Sequence, residues 1–166
     1  MISVEVILSG LATNNKTLGC LCFQSDPITA TINTDKTGYV SGEMVQFNIE
    51  VENLSNRDMD GMFLVLKKSV TYNGWYMGET GDKTEEREVE RLDREENIRP
   101  RSTDHWRGTV KLPDLPPTGL GGSCKIIDLQ YSLELHVDPA GPSFDLVVNL
   151  PIMVGTVPVK ESQRDE

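Results

Sequence analysis

The sequence predicts an all-β fold, an immunoglobulin-like antiparallel β-sandwich of about seven strands. Three observations lead there. Apolar residues recur with a period of two along nearly the whole chain, the pattern of half-buried strands whose successive side chains leave opposite faces of a sheet. Clusters of Gly, Pro and Asn separate the alternating runs and mark turns. A chain of 166 residues is long enough for one such domain, which buries roughly 70% of its unfolded surface and needs neither metal nor disulfide to fold.

The elements follow in order. Residues 1–15 are expected as a leading segment or interdomain connector. Their apolar stretch from Val4 to Leu8 has no basic residue before it and no small-residue cleavage pattern after it, which makes a poor signal peptide. The sandwich is expected over 16–158, with a polar tail over 159–166. Ile28, Ala30 and Ile32 alternate with Thr29, Thr31 and Asn33. After a turn over 38–42, Val45, Phe47, Ile49 and Val51 face one way, against Gln46, Asn48, Glu50 and Glu52. A long strand is predicted over 62–72, and Asn73-Gly74 after it reads as a hairpin turn, because both residues tolerate positive φ. Residues 83–97 have helical propensity, but Glu86/Glu90 and Arg87/Arg91 place like charges four apart. An edge strand charged on both faces, which keeps edges from sticking, is the better reading. Trp106, Val110 and Leu112 mark the next strand. The strongest alternation runs from Ile127 to Val137, with Leu129, Tyr131, Leu133 and Leu135 on the core face. Phe144, Leu146, Val148, Leu150 and Ile152 mark the last strand, with Pro151 where no ladder hydrogen bond is needed.

Composition excludes more than it assigns. A net charge of −10 argues against nucleic acid, whose phosphates need a basic surface, and against charge-driven attachment to an anionic membrane. It favours solubility and is compatible with a basic partner patch. No apolar run approaches the roughly 18 residues that span a bilayer. Three cysteines, Cys20, Cys22 and Cys124, form no disulfide framework, so a reducing compartment is expected. The sequons at Asn15 and Asn53 are then chance matches.

Each residue that could carry chemistry has a plainer reading beside it. Cys20 and Cys22 are candidates for lipidation, or for packing as small apolar residues at a sandwich end; no partner stands at a metal-site spacing. Cys124 precedes a core strand, where cysteine behaves as a small hydrophobe. His105 and His136 come with no nucleophile elbow and are read as surface residues. The acidic run 85–96 is interleaved with arginines, so it lacks the buried acid that a glycosidase pair requires. Trp106 lies in an alternating pattern and is expected in the core. Trp75, at a turn beside Tyr76 and Met77, is a candidate interface anchor. No catalytic, cofactor-binding or metal-ligating residue is assigned, and the chain is read as a non-enzymatic binding domain.

Several landmarks together resemble the C-terminal domain of the α-arrestins, the arrestin domain-containing proteins. They are Lys16-Thr17-Leu18-Gly19-Cys20-Leu21-Cys22-Phe23; Gly38-Tyr39 with Ser41-Gly42-Glu43; and Glu52-Asn53 at a strand end. Next come Trp106 with Gly108, then Lys111-Leu112-Pro113, Pro116-Pro117-Thr118, Cys124 and Tyr131-Ser132-Leu133. Val137-Asp138 and the closing stretch from Leu150 to Pro158 complete the set. The resemblance implies a cytoplasmic adaptor recruited to plasma membrane or endosomes. Its expected partners are membrane cargo, trafficking machinery and its own arrestin N-domain. It also implies ubiquitin-ligase recruitment through Pro-Pro-x-Tyr motifs. The Pro-Pro pair here, Pro116-Pro117, is followed by Thr118-Gly119, so ligase contact is expected only through segments outside this chain. One α-arrestin subgroup binds thioredoxin through a cysteine shortly before Trp-x-Gly, where this chain has Ser102 and Thr103. A retromer-type arrestin-fold subunit and a glycan-binding or hydrolytic sandwich are the alternative readings.

Overall fold

The computed structural model describes residues 9–20, 23–76, 79–119 and 126–156. These residues form two facing β-sheets. The strands are β1 (Gly10–Lys16), β2 (Gly19–Cys20), β3 (Phe23–Gln24), β4 (Ile28–Thr34), β5 (Gly38–Val40), β6 (Met44–Asn53), β7 (Met59–Tyr76), β8 (Glu79–Arg94), β9 (Ser102–Lys111), β10 (Ile127–Pro139) and β11 (Leu146–Gly155). A four-stranded sheet has the order β1-β4-β6-β9 and a five-stranded sheet the order β5-β11-β10-β7-β8. The short β2-β3 ladder stands apart from both.

The all-β sandwich agrees with the sequence reading, but its two sheets hold nine strands instead of about seven. The two extra strands are β1 and β5. β1 is Gly-Leu-Ala-Thr-Asn-Asn-Lys and has no alternating apolar set, so it looked like a connector. It pairs antiparallel with β4 from Gly10↔Thr34 to Lys16↔Ile28, which carries residues 10–15 into the sheet. β5 is three residues long, too short to show an alternation, and lies inside the turn expected over 38–42. It pairs parallel with β11, so the sandwich is antiparallel except at this edge.

Both inner faces supply the core. Ile28, Ala30 and Ile32 of β4 and Val45, Phe47, Ile49 and Val51 of β6 meet Leu64 and Leu66 of β7, Leu129 to Val137 of β10, and Leu146 to Val154 of β11. Residues of period two on each strand are buried because the pleat sends them inward. The charged segment is the edge strand β8, paired with β7 from Met62↔Arg94 to Tyr76↔Glu79, with a bulge at Leu66/Lys67. A helix there would stack like charges, whereas the ladder sets Lys67 opposite Glu88, and Ser69 opposite Glu86.

Two local expectations are corrected. Asn73-Gly74 is not the turn, since Asn73 pairs with Asp82 and Gly74 with Gly81 inside the ladder, which continues to Tyr76↔Glu79. Cross-strand pairing overrides the local preference of Asn-Gly. Phe144 lies outside the last strand, which begins at Leu146. Phe144 is 88% exposed, with the Lys16 ammonium 5.9 Å from its ring centre.

Candidate functional site

The residues singled out in the sequence do not converge. His105 is on β9 of one sheet and His136 on β10 of the other. His105 is exposed, with Nδ1 3.5 Å from Glu50. Cys20 contributes backbone to β2, while Cys22 and Cys124 lie outside the described residues. Among the described residues no group of three or more His, Cys, Asp or Glu is placed to hold a metal ion. No helix there is long and apolar enough to cross a membrane. Some carboxylates of the acidic run are paired: Glu85 with Lys83 at 2.8 Å, Glu86 with Lys67 at 3.1 Å, and Asp93 with Arg91 at 2.8 Å.

Four landmarks have clear structural jobs. Asn53 is fully buried, and its amide nitrogen donates to the carbonyls of Arg57 (2.8 Å), Ile98 (3.2 Å) and Arg99 (3.1 Å). Its Oδ1 accepts from the Ser55 amide and hydroxyl. The sequon Asn53-Leu54-Ser55 is therefore a knot that closes the end of β6. Gly108 sits under the Phe47 ring, where a Cβ would come within 2.8 Å of Cζ. The Phe47 ring in turn meets half-buried Trp106 edge to face at 5.2 Å. Tyr39 is buried and donates to Asp35 at 2.7 Å. Burial, then the Asp35 hydrogen bond, push its phenol well above the ordinary value. Tyr131 donates to the Pro116 carbonyl at 2.8 Å, and burial pushes its phenol up to about 12.

The Pro116-Pro117 loop is strapped to the sandwich at three points. Ser41 Oγ donates to the Leu115 carbonyl and accepts from its amide, at 2.7 and 2.9 Å. Tyr131 holds Pro116, and Thr118 Oγ1 accepts from the Val154 amide at 2.8 Å.

What remains for interaction is the pair of outer sheet faces and the β7–β8 wing. The outer face of the four-stranded sheet is a polar lattice in which Thr13 and Thr31 hydroxyls meet at 3.0 Å and Arg107 donates to Asn48 at 3.2 Å. The outer face of the five-stranded sheet carries a network that the sequence did not reveal. Lys67 pairs with Glu134 at 2.8 Å, and Asn149 donates to Glu134 at 2.9 Å. The His136 ring stacks on Phe63 at 4.5 Å, and the Arg91 guanidinium lies 3.7 Å from the Phe63 ring centre. His136 thus keeps only 21% of its side-chain exposure, and Val65 on the same face is 1% exposed. Burial alone would raise the Glu134 carboxyl, but the Lys67, Asn149 and His136 contacts outweigh it and hold it below the ordinary value. These side chains seal the face without a further layer. The wing is different: from Tyr72 to Trp75 and from Gly81 to Thr84 every residue is exposed.

Residues 24–159 match the family model described as arrestin (or S-antigen), C-terminal domain. The chain belongs to that family. Arrestin domain-containing protein 4 of Homo sapiens is 32% identical over 149 residues, which cover 89% of this chain and 34% of that protein. Arrestin domain-containing protein 17 of Caenorhabditis elegans is 27% identical over 146 residues, 87% of this chain and 32% of that protein. The arrestin C-domain here thus spans about a third of the length of these curated relatives. Among solved structures, Spo0M, a sporulation control protein from Bacillus subtilis, superposes with a TM-score of 0.56 at 18% identity, over 88% of this chain and 50% of that one. That likeness establishes a shared fold. The buried roles of Tyr39, Asn53, Gly108 and Tyr131 show why these arrestin-like landmarks stand where they do.

Proposed function

We propose that this arrestin C-domain is a non-catalytic adaptor module in membrane-protein trafficking, working in the cytoplasm by surface complementarity to other proteins. The observation that carries the reading is the family match over residues 24–159. The polar outer faces support it, because their side chains are spent on pairing and packing. In the longer proteins it resembles, such a domain would pack beside an arrestin N-domain, with the residues before β1 as the connector and 159–166 as a polar tail. Ligase contact would come through segments outside this chain. Pro116-Pro117 is a poor candidate for it, since Tyr131, Ser41 and Thr118 tie that loop down.

A fluorescently tagged chain tests this reading in cells. It is expected to distribute through the cytosol and to gather on plasma membrane or endosomes when a cargo receptor is driven into endocytosis. Confinement to the nucleus, or a distribution that ignores receptor uptake, overturns it.

A further inference from the structure

The end of the β7–β8 wing has the makings of a receptor for a basic side chain. Strand alternation places Asn73 and Trp75 of β7 and Asp82 of β8 on one face, with Asn73 opposite Asp82 and Trp75 opposite Thr80. Ile126 joins them, its carbonyl accepting from the Asn73 amide at 2.8 Å. Trp75 is 75% exposed and Ile126 64% exposed. With Gly74 and Gly81 they line an open cleft of about 520 Å³. The facing pair Gly74↔Gly81 adds backbone to its wall, and a Cβ on either glycine would meet nothing within 4 Å.

The electrostatics select the occupant. On this face the register adds Glu86 and Asp128 to Asp82. The described cation nearest on the same face, Lys67, is already held by Glu86 and Glu134. Lys83 pairs with Tyr72 on the opposite face and is bound to Glu85. An exposed indole beside Asp82 and Asp128, neither of them ion-paired among the described residues, attracts a cation over its ring, while an apolar neighbour covers the alkyl stem.

We propose that the cleft binds an Arg- or Lys-bearing segment of a partner protein. The cation lies over Trp75, Asp82 accepts its hydrogen bonds, and the stem packs on Ile126. Guanidinium suits the site better than ammonium, because it can stack on the indole and bond a carboxylate at once. This deepens the protein-binding reading given above, but it is tested on the purified chain, so either can fail without the other. The acidic rim disfavours an anionic membrane as occupant.

The chain has two tryptophans, which gives an internal control. The probe is a Gly/Ser-spaced twelve-residue peptide with three arginines and one leucine, titrated while the two indole N–H signals are followed by NMR. The Trp75 signal is expected to shift saturably while the Trp106 signal stays still. Trp75→Ala and Asp82→Asn should each weaken binding about five- to tenfold, the scale of one cation–π contact or exposed charge-assisted bond. Both positions are exposed, so the melting temperature should not change. Added salt should weaken binding further. Overturning results are an unsaturable shift, equal shifts with a glutamate-for-arginine peptide, or affinity unchanged by both substitutions. A Trp75 response to phosphatidylcholine vesicles without a response to the peptide would also overturn it, in favour of a lipid surface.

Discussion

At the scale of the residue, stability rests on a few side chains whose contacts admit no replacement. Asn53→Ala removes three donations to backbone carbonyls and the acceptor of the buried Ser55 amide. The carbonyls keep second donors in Ser55, Met59 and Ser102, so the cost should be about 1–3 kcal/mol, that of the one buried group left unsatisfied. Urea denaturation would measure it. Asn53→Asp should be no better, because it sets a carboxylate oxygen against the same three carbonyl oxygens. Gly108→Ala drives a methyl against the Phe47 ring and should cost about 1–3 kcal/mol by overpacking. Phe47→Leu in the same chain should recover part of that loss, so the two substitutions should not be additive. The landmarks Glu52-Asn53 and Trp106 with Gly108 could be read in the sequence as a pattern. Their chemistry could not, because it depends on carbonyls and a ring brought from distant positions.

At the scale of the element, legibility followed the length of the alternation. β6 and β10 bury one face along ten and thirteen residues, and a one-residue slip would turn every apolar side chain to water. β1 and β5 lacked such a run and are held by their neighbours, so only the paired structure reveals them. The Asn73-Gly74 reading failed for the same reason: a local turn preference is worth less than a ladder that continues on both sides. The outer-face network was invisible because Lys67 and Glu134 look like ordinary solvent-facing charges until β7 and β10 are paired.

That pairing has a pH signature. Glu134 is held below the ordinary carboxylate value, so its contribution is complete above the unfolded value of about 4.3 and lost as pH falls through the folded one. The Lys67 ammonium is raised, chiefly by its hydrogen bond to Glu134. Its contribution is present below about 10.4 and lost as pH rises through the folded value. The melting-temperature gap between wild type and Glu134→Gln should therefore be widest between about pH 5 and 10 and close under acid. Lys67→Met, which leaves Glu134 buried without its main cation, should cost about 3 kcal/mol at neutral pH. A gap that is flat from pH 3 to 8 would remove the ion pair from the stability of the sheet.

At the scale of the whole molecule, the two sheets close on one core and turn largely polar faces outward, leaving the β7–β8 wing as the place where an indole stands uncovered beside carboxylates. The acidic balance, the all-β class and the arrestin resemblance were legible from residue order. Which surface is left open was not, because exposure depends on what packs over each strand. Trp75 is exposed not because Asn73-Gly74 forms a turn beside it, but because the β7–β8 ladder runs on past the last β10 pair, Ile127↔Tyr72.

The claim that this arrestin C-domain acts by binding trafficking proteins is tested most directly by proximity labelling in cells, comparing wild type with the Trp75→Ala/Asp82→Asn double variant at equal abundance. Wild type should recover membrane proteins and plasma-membrane or endosomal sorting proteins. The double variant, equally stable, should lose a defined subset of them. Recovery of only nuclear or secreted proteins by wild type would contradict the claim.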